Sequence, residues 1–217
     1  MEKELNNEIM QTGTTTIGIV SKDAVVLAAD MRTTAGGMIV NRKTDKIFEI
    51  SEKAAVTMSG TVSDSMLLVK LIKAEISLKR MRANREPTIK EIANLLSGMV
   101  YNNIRKMSMI PGISHFVLGG YDESTGRSIY DIYMDGSITK IEDYVASGSG
   151  SVFALGVLET MYSKDLQTEE AIELAVKAIN AALKRDTASG DGINVVVIDK
   201  EGVKPVKKKQ LEINLSE

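Results

Sequence analysis

Two blocks of strands, each followed by a pair of helices, limit the folds that this 217-residue chain can adopt. Short β-branched and apolar segments come first, and the apolar residues then change to helical spacing over two long stretches. A second block of strands, a second helix pair and a final strand follow. Blocks without strict alternation argue against a doubly wound parallel sheet. We therefore predict an α+β fold, in which two antiparallel sheets pack face to face with a helix pair outside each sheet.

Turn-forming residues separate the predicted elements and set their bounds. Strands are expected at 14–20, 24–29, 38–40, 46–50, 54–58, 114–120, 127–133, 137–141, 143–147 and 193–198. Helices are expected from Thr61 or Ser63 to about 84, from 87 to before Pro111, and over 150–162 and 168–185. Thr88 and Glu91 have the spacing of a capping box, in which each side chain bonds a main-chain N–H of the first helical turn.

Composition argues against several classes of function. The formal net charge is −2, so no general attraction to nucleic acid or to an anionic membrane is expected. The basic cluster Lys204–Lys209 is interpreted as a solvated tail or an edge strand. The sequence contains no cysteine, which removes disulfides and thiol catalysis. A Ser-His-Asp triad would have to use the single histidine, His115, which we interpret as structural. One histidine is too few for a typical zinc site, and we predict no metal and no cofactor.

The first thirteen residues form a short polar leader. They include three glutamates and a lysine and have no apolar core, so they do not resemble a secretory signal. No run of eighteen apolar residues occurs in the sequence, which predicts no transmembrane helix. We expect a cytoplasmic protein without a membrane partner. The leader also suits a segment that is removed during maturation.

Gly13 is followed by three threonines, Thr14 to Thr16. A cut after Gly13 would leave Thr14 with a hydroxyl and a free amine on neighbouring carbons. An α-amino group has a pKa of about 7.7–8.0 and can take the proton of such a hydroxyl. Threonine activated in this way is a known nucleophile. Threonines before alternating aliphatic residues are also ordinary strand composition, so this motif alone leaves both interpretations open.

Further polar segments lie where predicted strands and helices begin or end. Taken singly, each is typical of a surface turn or an edge residue. A main-chain N–H at a strand-to-helix junction such as 58–60 can also face developing negative charge. The loop 148–151 does not complete a dinucleotide fingerprint, because Phe153 stands where the third glycine is needed.

Together these segments resemble the β subunits of archaeal-type proteasomes, which are N-terminal-nucleophile hydrolases. The resemblance covers Gly13 to about Ile198. It is carried by six motifs in order: Gly13-Thr14-Thr15-Thr16-Ile17-Gly18, Ala28-Ala29-Asp30, Lys46-Ile47-Phe48, Met58-Ser59-Gly60, Gly148-Ser149-Gly150-Ser151 and Arg185-Asp186-Thr187-Ala188-Ser189-Gly190. It implies a four-layer αββα sandwich, a propeptide at 1–13 and a single catalytic domain at 14–217.

The resemblance also implies roles for single residues. Thr14 would be the nucleophile, exposed by autocatalytic cleavage between Gly13 and Thr14. Lys46 would be the buried cation beside it, and Asp30 the partner that keeps Lys46 charged and fixed. The main-chain N–H of Gly60 would stabilise the oxyanion.

Three more residues would complete the implied catalytic group. Ser149, Asp186 and Ser189 would orient the Thr14 amine and a catalytic water.

The resemblance places a substrate cleft next to these groups. Arg32, Thr33 and Thr34 would line it together with Gly60, and an extended peptide would pair there as an added strand. As a hypothesis, Met58 lines the first specificity pocket, which would favour cleavage after hydrophobic residues.

The implied activity is that of a threonine endopeptidase, which hydrolyses unfolded polypeptides without using ATP itself. The implied partners are other β subunits in a seven-membered ring, an α-subunit ring, and an ATP-dependent unfoldase that acts through the α ring. Three alternatives stay open. They are a non-catalytic ring subunit of the same assembly, the simpler bacterial two-ring relative, and an unrelated sandwich domain that binds peptides without cutting them.

Overall fold

Two five-stranded antiparallel sheets and four helices make up the described part of the chain, residues 13–109 and 111–210 of this computed structural model. In chain order the strands are β1 (Thr16–Val20), β2 (Val25–Asp30), β3 (Thr33–Ala35), β4 (Met38–Asn41), β5 (Ile47–Ser51), β6 (Ala54–Gly60), β7 (Ser114–Asp122), β8 (Gly126–Ile132), β9 (Ile138–Ile141), β10 (Tyr144–Ser147), β11 (Gly192–Asp199) and β12 (Gly202–Gln210). The helices are α1 (Val62–Ala83), α2 (Ile89–Ile104), α3 (Ser151–Met161) and α4 (Thr168–Leu183). Residues 1–12 of the predicted leader lie outside the described residues.

The layers follow the predicted order. The first sheet has the strand order β10-β1-β2-β11-β12 and the second the order β5-β6-β7-β8-β9, while β3 and β4 form a separate two-stranded ribbon. Helices α1 and α2 pack on the second sheet, and α3 and α4 on the first. The predicted four-layer sandwich with a helix pair outside each sheet is therefore confirmed.

Strand β2 is apolar at successive positions because both of its faces are buried. Val26 and Ala28 pack toward α3 and α4, whereas Val25 and Leu27 pack into the core between the two sheets. Successive side chains of a strand point to opposite faces, so a strand buried on both faces needs apolar residues at every position. The last residue of β2, Asp30, is also fully buried.

The predicted elements are confirmed to within a few residues, with two additions. Strand β3 was not predicted, and the basic cluster Lys204–Lys209 lies in β12, at the edge of the first sheet. Lysines on an edge strand disfavour pairing with another chain. The capping box of Thr88 and Glu91 is present at the start of α2. Among the described residues, no helix is long and apolar enough to cross a membrane.

One end of the sandwich gathers the polar motifs. The start of β1 and the end of β2 are hydrogen-bonded neighbours, and Thr16 pairs with Ser147 at the end of β10. The end of β6 and the start of β7 meet at the same end of the second sheet. The loop between α4 and β11 completes this end, because its Gly190 carbonyl accepts from the N–H of Met31.

Candidate active site

Thr14 lies two residues before the start of β1 and is almost fully buried. Its Oγ1 donates to the carbonyl oxygen of Gly13 at 2.7 Å. Its main-chain nitrogen donates to Oγ of Ser149 at 3.3 Å. The hydroxyl is thus held against the peptide bond that precedes it, and the nitrogen of that bond is already in contact with a predicted site residue.

Gly13 is tightly enclosed. A Cβ at this position would lie 1.7 Å from Cβ of Ala188, so a larger residue would displace the 186–190 loop. The structural reason for glycine at this position is therefore lack of space. Its N–H donates to Oγ1 of Thr34 at 3.1 Å, which fixes the predicted cleavage site against β3.

Lys46 and Asp30 form a buried ion pair between the two sheets. The Nζ–Oδ1 distance is 2.6 Å, and the side chains are 3% and 0% exposed. Burial lowers the pKa of Lys46 below its usual 10.5, and the charge of Asp30 opposes that change. A buried ammonium is costly without a counter-charge, and Asp30 supplies one to Lys46, which lines the same cleft as Thr14.

The carboxylate of Asp30 is saturated with donors. Besides Lys46, it accepts from the main-chain N–H groups of Thr15 at 2.9 Å, and of Arg32 and Gly190 at 3.0 Å each. These bonds join the start of β1, the corner after β2 and the loop before β11. Asp30 therefore positions the segments around Thr14 as well as pairing with Lys46.

A second polar cluster surrounds the nitrogen of Thr14. Oδ2 of Asp186 accepts from Oγ of both Ser149 and Ser189 at 2.6 Å. Ser189 also bonds Oγ1 of Thr15 at 2.7 Å. The three residues predicted to orient the Thr14 amine are thus hydrogen-bonded to one another, and Ser149 contacts the nitrogen that cleavage would convert to that amine.

Of the remaining predicted residues, Thr33, Met58 and Gly60 line a small cleft, whereas Arg32 and Thr34 do not. Its lining consists of Gly13, Thr14, Thr33, Lys46, Met58, Ser59, Gly60 and Val62. Gly60 has φ = 106°, and a Cβ there would approach the Ile113 carbonyl oxygen to 2.3 Å. Only glycine fits this backbone, and residue 60 lines the same cleft as Thr14. Met58 is buried and contributes an apolar surface.

Arg32 and Thr34 contact the structure around the cleft. The guanidinium of Arg32 donates to Asp191 at 2.7 Å and to the Thr187 carbonyl at 2.9 Å. The bond to Asp191 raises the pKa of Arg32. Arg32 therefore braces the loop that carries Asp186 and Ser189. Thr34 is buried, and its hydroxyl holds Gly13.

Sequence reasoning missed Thr15 and Asp191 as members of this site. Thr15 stands beside the predicted nucleophile in a run of identical residues, so nothing in the sequence distinguished its role. Asp191 adopts φ = 63°, a conformation that aspartate tolerates better than most residues. Its pairing with Arg32 joins residues 159 positions apart, which no local pattern reveals.

The chain is similar to known proteins over most of its length. The family described as "Proteasome subunit" matches residues 10–198. A "Proteasome subunit beta" of Ferroglobus placidus is 44% identical over 200 residues, which cover 92% of this chain and 93% of that protein. A "Proteasome subunit beta" of Archaeoglobus profundus is 43% identical, with 94% and 93% covered. A "Proteasome subunit beta 1" of Thermococcus sibiricus is 42% identical, with 92% and 93% covered.

The family match spans both helix pairs, every strand except β12 and the last residue of β11, and every residue of the candidate site. The matches confirm the resemblance that was drawn from six short motifs. The chain belongs to the proteasome subunit family.

Proposed function

We propose that this chain is the catalytic β subunit of a proteasome core particle and a threonine endopeptidase whose nucleophile is Thr14. One observation carries the proposal: Thr14 lies between the buried Lys46–Asp30 pair and the Ser149–Asp186–Ser189 cluster. The first group supplies a positive charge at the cleft that Thr14 lines. The second contacts the nitrogen that would become the base.

Chain maturation would begin at the bond between Gly13 and Thr14. Oγ of Thr14 attacks the Gly13 carbonyl carbon, and the bond from that carbon to the Thr14 nitrogen breaks. The proton of the hydroxyl passes to this nitrogen, which becomes a free amine, and an ester joins Gly13 to Thr14 Oγ. Water then hydrolyses this ester and releases residues 1–13 as a propeptide, which leaves a catalytic domain over 14–217. The bond from Oγ1 of Thr14 to the Gly13 carbonyl oxygen supports this step, because it holds the two reacting groups together.

Substrate cleavage would use the amine that maturation exposes. The amine takes the proton of Thr14 Oγ as the oxygen attacks a peptide carbonyl carbon. The N–H of Gly60 stabilises the oxyanion that forms. Collapse of the intermediate breaks the C–N bond, and the proton passes from the amine to the leaving nitrogen. Water, oriented by Ser149, Asp186 and Ser189, then hydrolyses the ester and returns a proton to Thr14.

Lys46 acts through its charge. An ammonium near Oγ favours the deprotonated oxygen and disfavours protonation of the amine. The Lys46–Asp30 bond fixes the position of this charge. Lys46 is therefore proposed as a catalytic electrostatic group and Asp30 as the residue that maintains it.

The cleft supports binding of an extended peptide with a hydrophobic side chain in the first pocket. Met58 supplies an apolar wall there, and Thr33 lies at the same cleft with its hydroxyl bonded to Thr44. In our proposal an unfolded polypeptide pairs along the 32–34 segment as an added strand.

Membership of the proteasome subunit family supports a place in a ring. We propose that the chain assembles with other β subunits in a seven-membered ring that an α-subunit ring caps. An ATP-dependent unfoldase would deliver cytoplasmic substrates through the α ring. Enclosure of the threonines would restrict hydrolysis to unfolded chains.

The proposal is tested by peptide hydrolysis and by an electrophile selective for N-terminal threonine. Wild-type particles should hydrolyse a peptide with a hydrophobic residue before the cut and form an adduct on Thr14, whereas Thr14→Ala should do neither. Thr16→Val is the matched control, because Oγ1 of Thr16 is buried and has no hydrogen-bond partner among the described residues. It should keep full activity.

A non-catalytic ring subunit of the same assembly would give a different result. Thr14→Ala and wild-type chains would then both assemble into rings, and both kinds of particle would show the same low background rate of peptide hydrolysis. Particles that form without any adduct on Thr14 would support that alternative.

A further inference from the structure

The single histidine joins a chain of four side chains that crosses between the sheets. Nε2 of His115 on β7 lies 2.5 Å from Oδ1 of Asp131 on β8, and Nδ1 lies 2.9 Å from Oγ of Ser147 on β10. Oγ of Ser147 lies 2.7 Å from Oγ of Ser59 on β6. We refer to Asp131, His115, Ser147 and Ser59 as the histidine relay.

The three residue types of a serine triad therefore meet, but their geometry does not suit a nucleophile. Ser147 is 3% exposed, and its hydroxyl is enclosed by His115 and Ser59. A substrate carbonyl has no approach to an oxygen placed in this way. The enclosure argues against a Ser-His-Asp triad, in line with the interpretation of His115 as a structural residue.

With a neutral His115 ring, the hydrogen bonds of the relay have one consistent direction. A carboxylate only accepts, so Nε2 of His115 donates to Asp131. In the neutral ring Nδ1 then accepts from Ser147, which leaves Oγ of Ser147 to accept from Ser59. In this order each of the two serine hydroxyls donates one hydrogen bond. The ring of Tyr133 packs edge-on against the ring of His115, with 4.8 Å between the centroids. The ring orientation of His115 is thus fixed on three sides.

The position of the relay gives it a role in the site. Ser59 is covalently followed by Gly60, the proposed oxyanion donor, and Ser147 is followed by Gly148 and Ser149, the residue on the Thr14 nitrogen. The Ser59–Ser147 bond therefore links the segment that would stabilise the oxyanion to the segment that would orient the amine. The Lys46–Asp30 pair makes a second polar connection between the sheets.

We propose that the histidine relay is a positioning device for the reaction proposed above, with His115 as its central positioning residue. This inference rests on the proposed function. The relay holds the Gly60 segment on the second sheet at a fixed separation from the Ser149 segment on the first. Loss of the relay should let these segments shift, and a small misplacement of reacting groups lowers the rate of chemistry more than the binding of substrate.

Ser147→Ala tests the proposal with little change in volume. In assembled particles it should lower kcat about tenfold with KM nearly unchanged, because the cleft walls remain while their spacing relaxes. Ser65→Ala is the matched control. Its hydroxyl bonds Ser114 at 3.0 Å, both residues are buried, and neither lines the cleft. It should lose as much thermal stability as Ser147→Ala and keep its kcat.

Two substitutions of His115 provide a rescue test. His115→Leu removes both ring nitrogens, whereas the amide of His115→Asn can occupy the place of Nδ1 and bond Ser147. We expect His115→Asn to recover much of the kcat that His115→Leu loses, in particles of the same size. If His115→Leu alone fails to assemble, the comparison of Ser147→Ala with Ser65→Ala decides the question.

The outcomes separate the two proposals when Thr14→Ala is measured in parallel. An inactive Thr14→Ala with a Ser147→Ala enzyme of normal kcat would overturn the positioning role and leave the proposed function intact. Equal losses of kcat in Ser147→Ala and Ser65→Ala would also overturn it. An active Thr14→Ala would overturn the proposed function and the inference with it.

Discussion

Two lysine–aspartate pairs of equal length differ only in their surroundings. Nζ of Lys46 lies 2.6 Å from Asp30, and Nζ of Lys208 lies 2.6 Å from Asp45. The first pair is 3% and 0% exposed, while the second is 54% and 49% exposed. Asp45 is the residue just before Lys46 in the sequence. Two adjacent residues, Asp45 and Lys46, thus take part in two ion pairs, one solvated and one buried.

The contrast shows that distance alone does not give an ion pair its importance. Water screens the surface pair, so its contribution to stability is about 0–1 kcal/mol. The buried pair has lost its hydration, and each charge depends on the other for compensation. Burial lowers the pKa of Lys46, and the bond to Asp30 opposes this change. The buried pair therefore maintains a charge where the proposed chemistry needs one, at some cost in stability.

Asp30→Asn is expected to cause the largest loss of folding stability. This change leaves the Lys46 ammonium buried without an anion. It also turns the amide NH2 either toward the donors of Thr15 and Lys46 or toward the N–H groups of Arg32 and Gly190. It should reduce the free energy of unfolding by about 3–5 kcal/mol. The measurement is urea unfolding of unassembled subunits, all in a Thr14→Ala background so that every variant carries the same leader. A loss below 1 kcal/mol would remove the distinction between the two pairs.

Lys46→Met should act on catalysis more than on folding. Methionine fills much of the lysine volume, and Asp30 keeps its three main-chain donors. Without the ammonium, kcat for a peptide should fall about 10²–10³-fold, as when one stabilising group of an oxyanion is removed. The matched control is Lys208→Met, which should keep wild-type kcat. A Lys46→Met enzyme as active as this control would disprove the electrostatic role.

Asp191→Asn probes a pair of intermediate burial. Arg32 and Asp191 are 21% and 7% exposed, and asparagine tolerates the φ of 63° that residue 191 adopts. The substitution thus removes charge without straining the backbone. A loss of about 2 kcal/mol is expected from the charged hydrogen bond. Thermal and urea unfolding in the same background should rank this variant between Asp30→Asn and the surface lysine change.

The smallest change in folding stability is expected for the surface pair of Lys208 and Asp45. Lys208→Met should change the free energy of unfolding by less than about 1 kcal/mol, and the change should shrink further as salt is raised. Urea unfolding at low and high ionic strength makes the comparison. A large, salt-independent loss would mean that exposure does not govern the strength of these pairs.

The order of strands and helices was predictable because it depends on local periodicity. Strand β2 and helix α2 have patterns that indicate their faces directly, and the capping box of Thr88 and Glu91 marks a helix start. Strand β3 has only three residues, too few for a periodic pattern. For β12, four lysines near a proline fitted a tail as well as an edge strand, and only pairing with β11 distinguishes them.

The candidate site was predictable only through the resemblance of its motifs to a known family. No spacing in the sequence indicates that Lys46 would reach Asp30, or that Asp186 would hold Ser149, because these contacts form when two sheets and a loop meet. The histidine relay was beyond both approaches. His115 was visible as the single histidine of a strand, but its partners come from three other strands.

The intact mass of the subunit in assembled particles tests the central claim most directly. Wild-type and Thr16→Val chains should have lost residues 1–13 and should begin at Thr14, while Thr14→Ala should keep its full mass and hydrolyse no peptide. Fully active wild-type particles in which residues 1–13 are still attached would contradict the account, because Thr14 would then have no free amine.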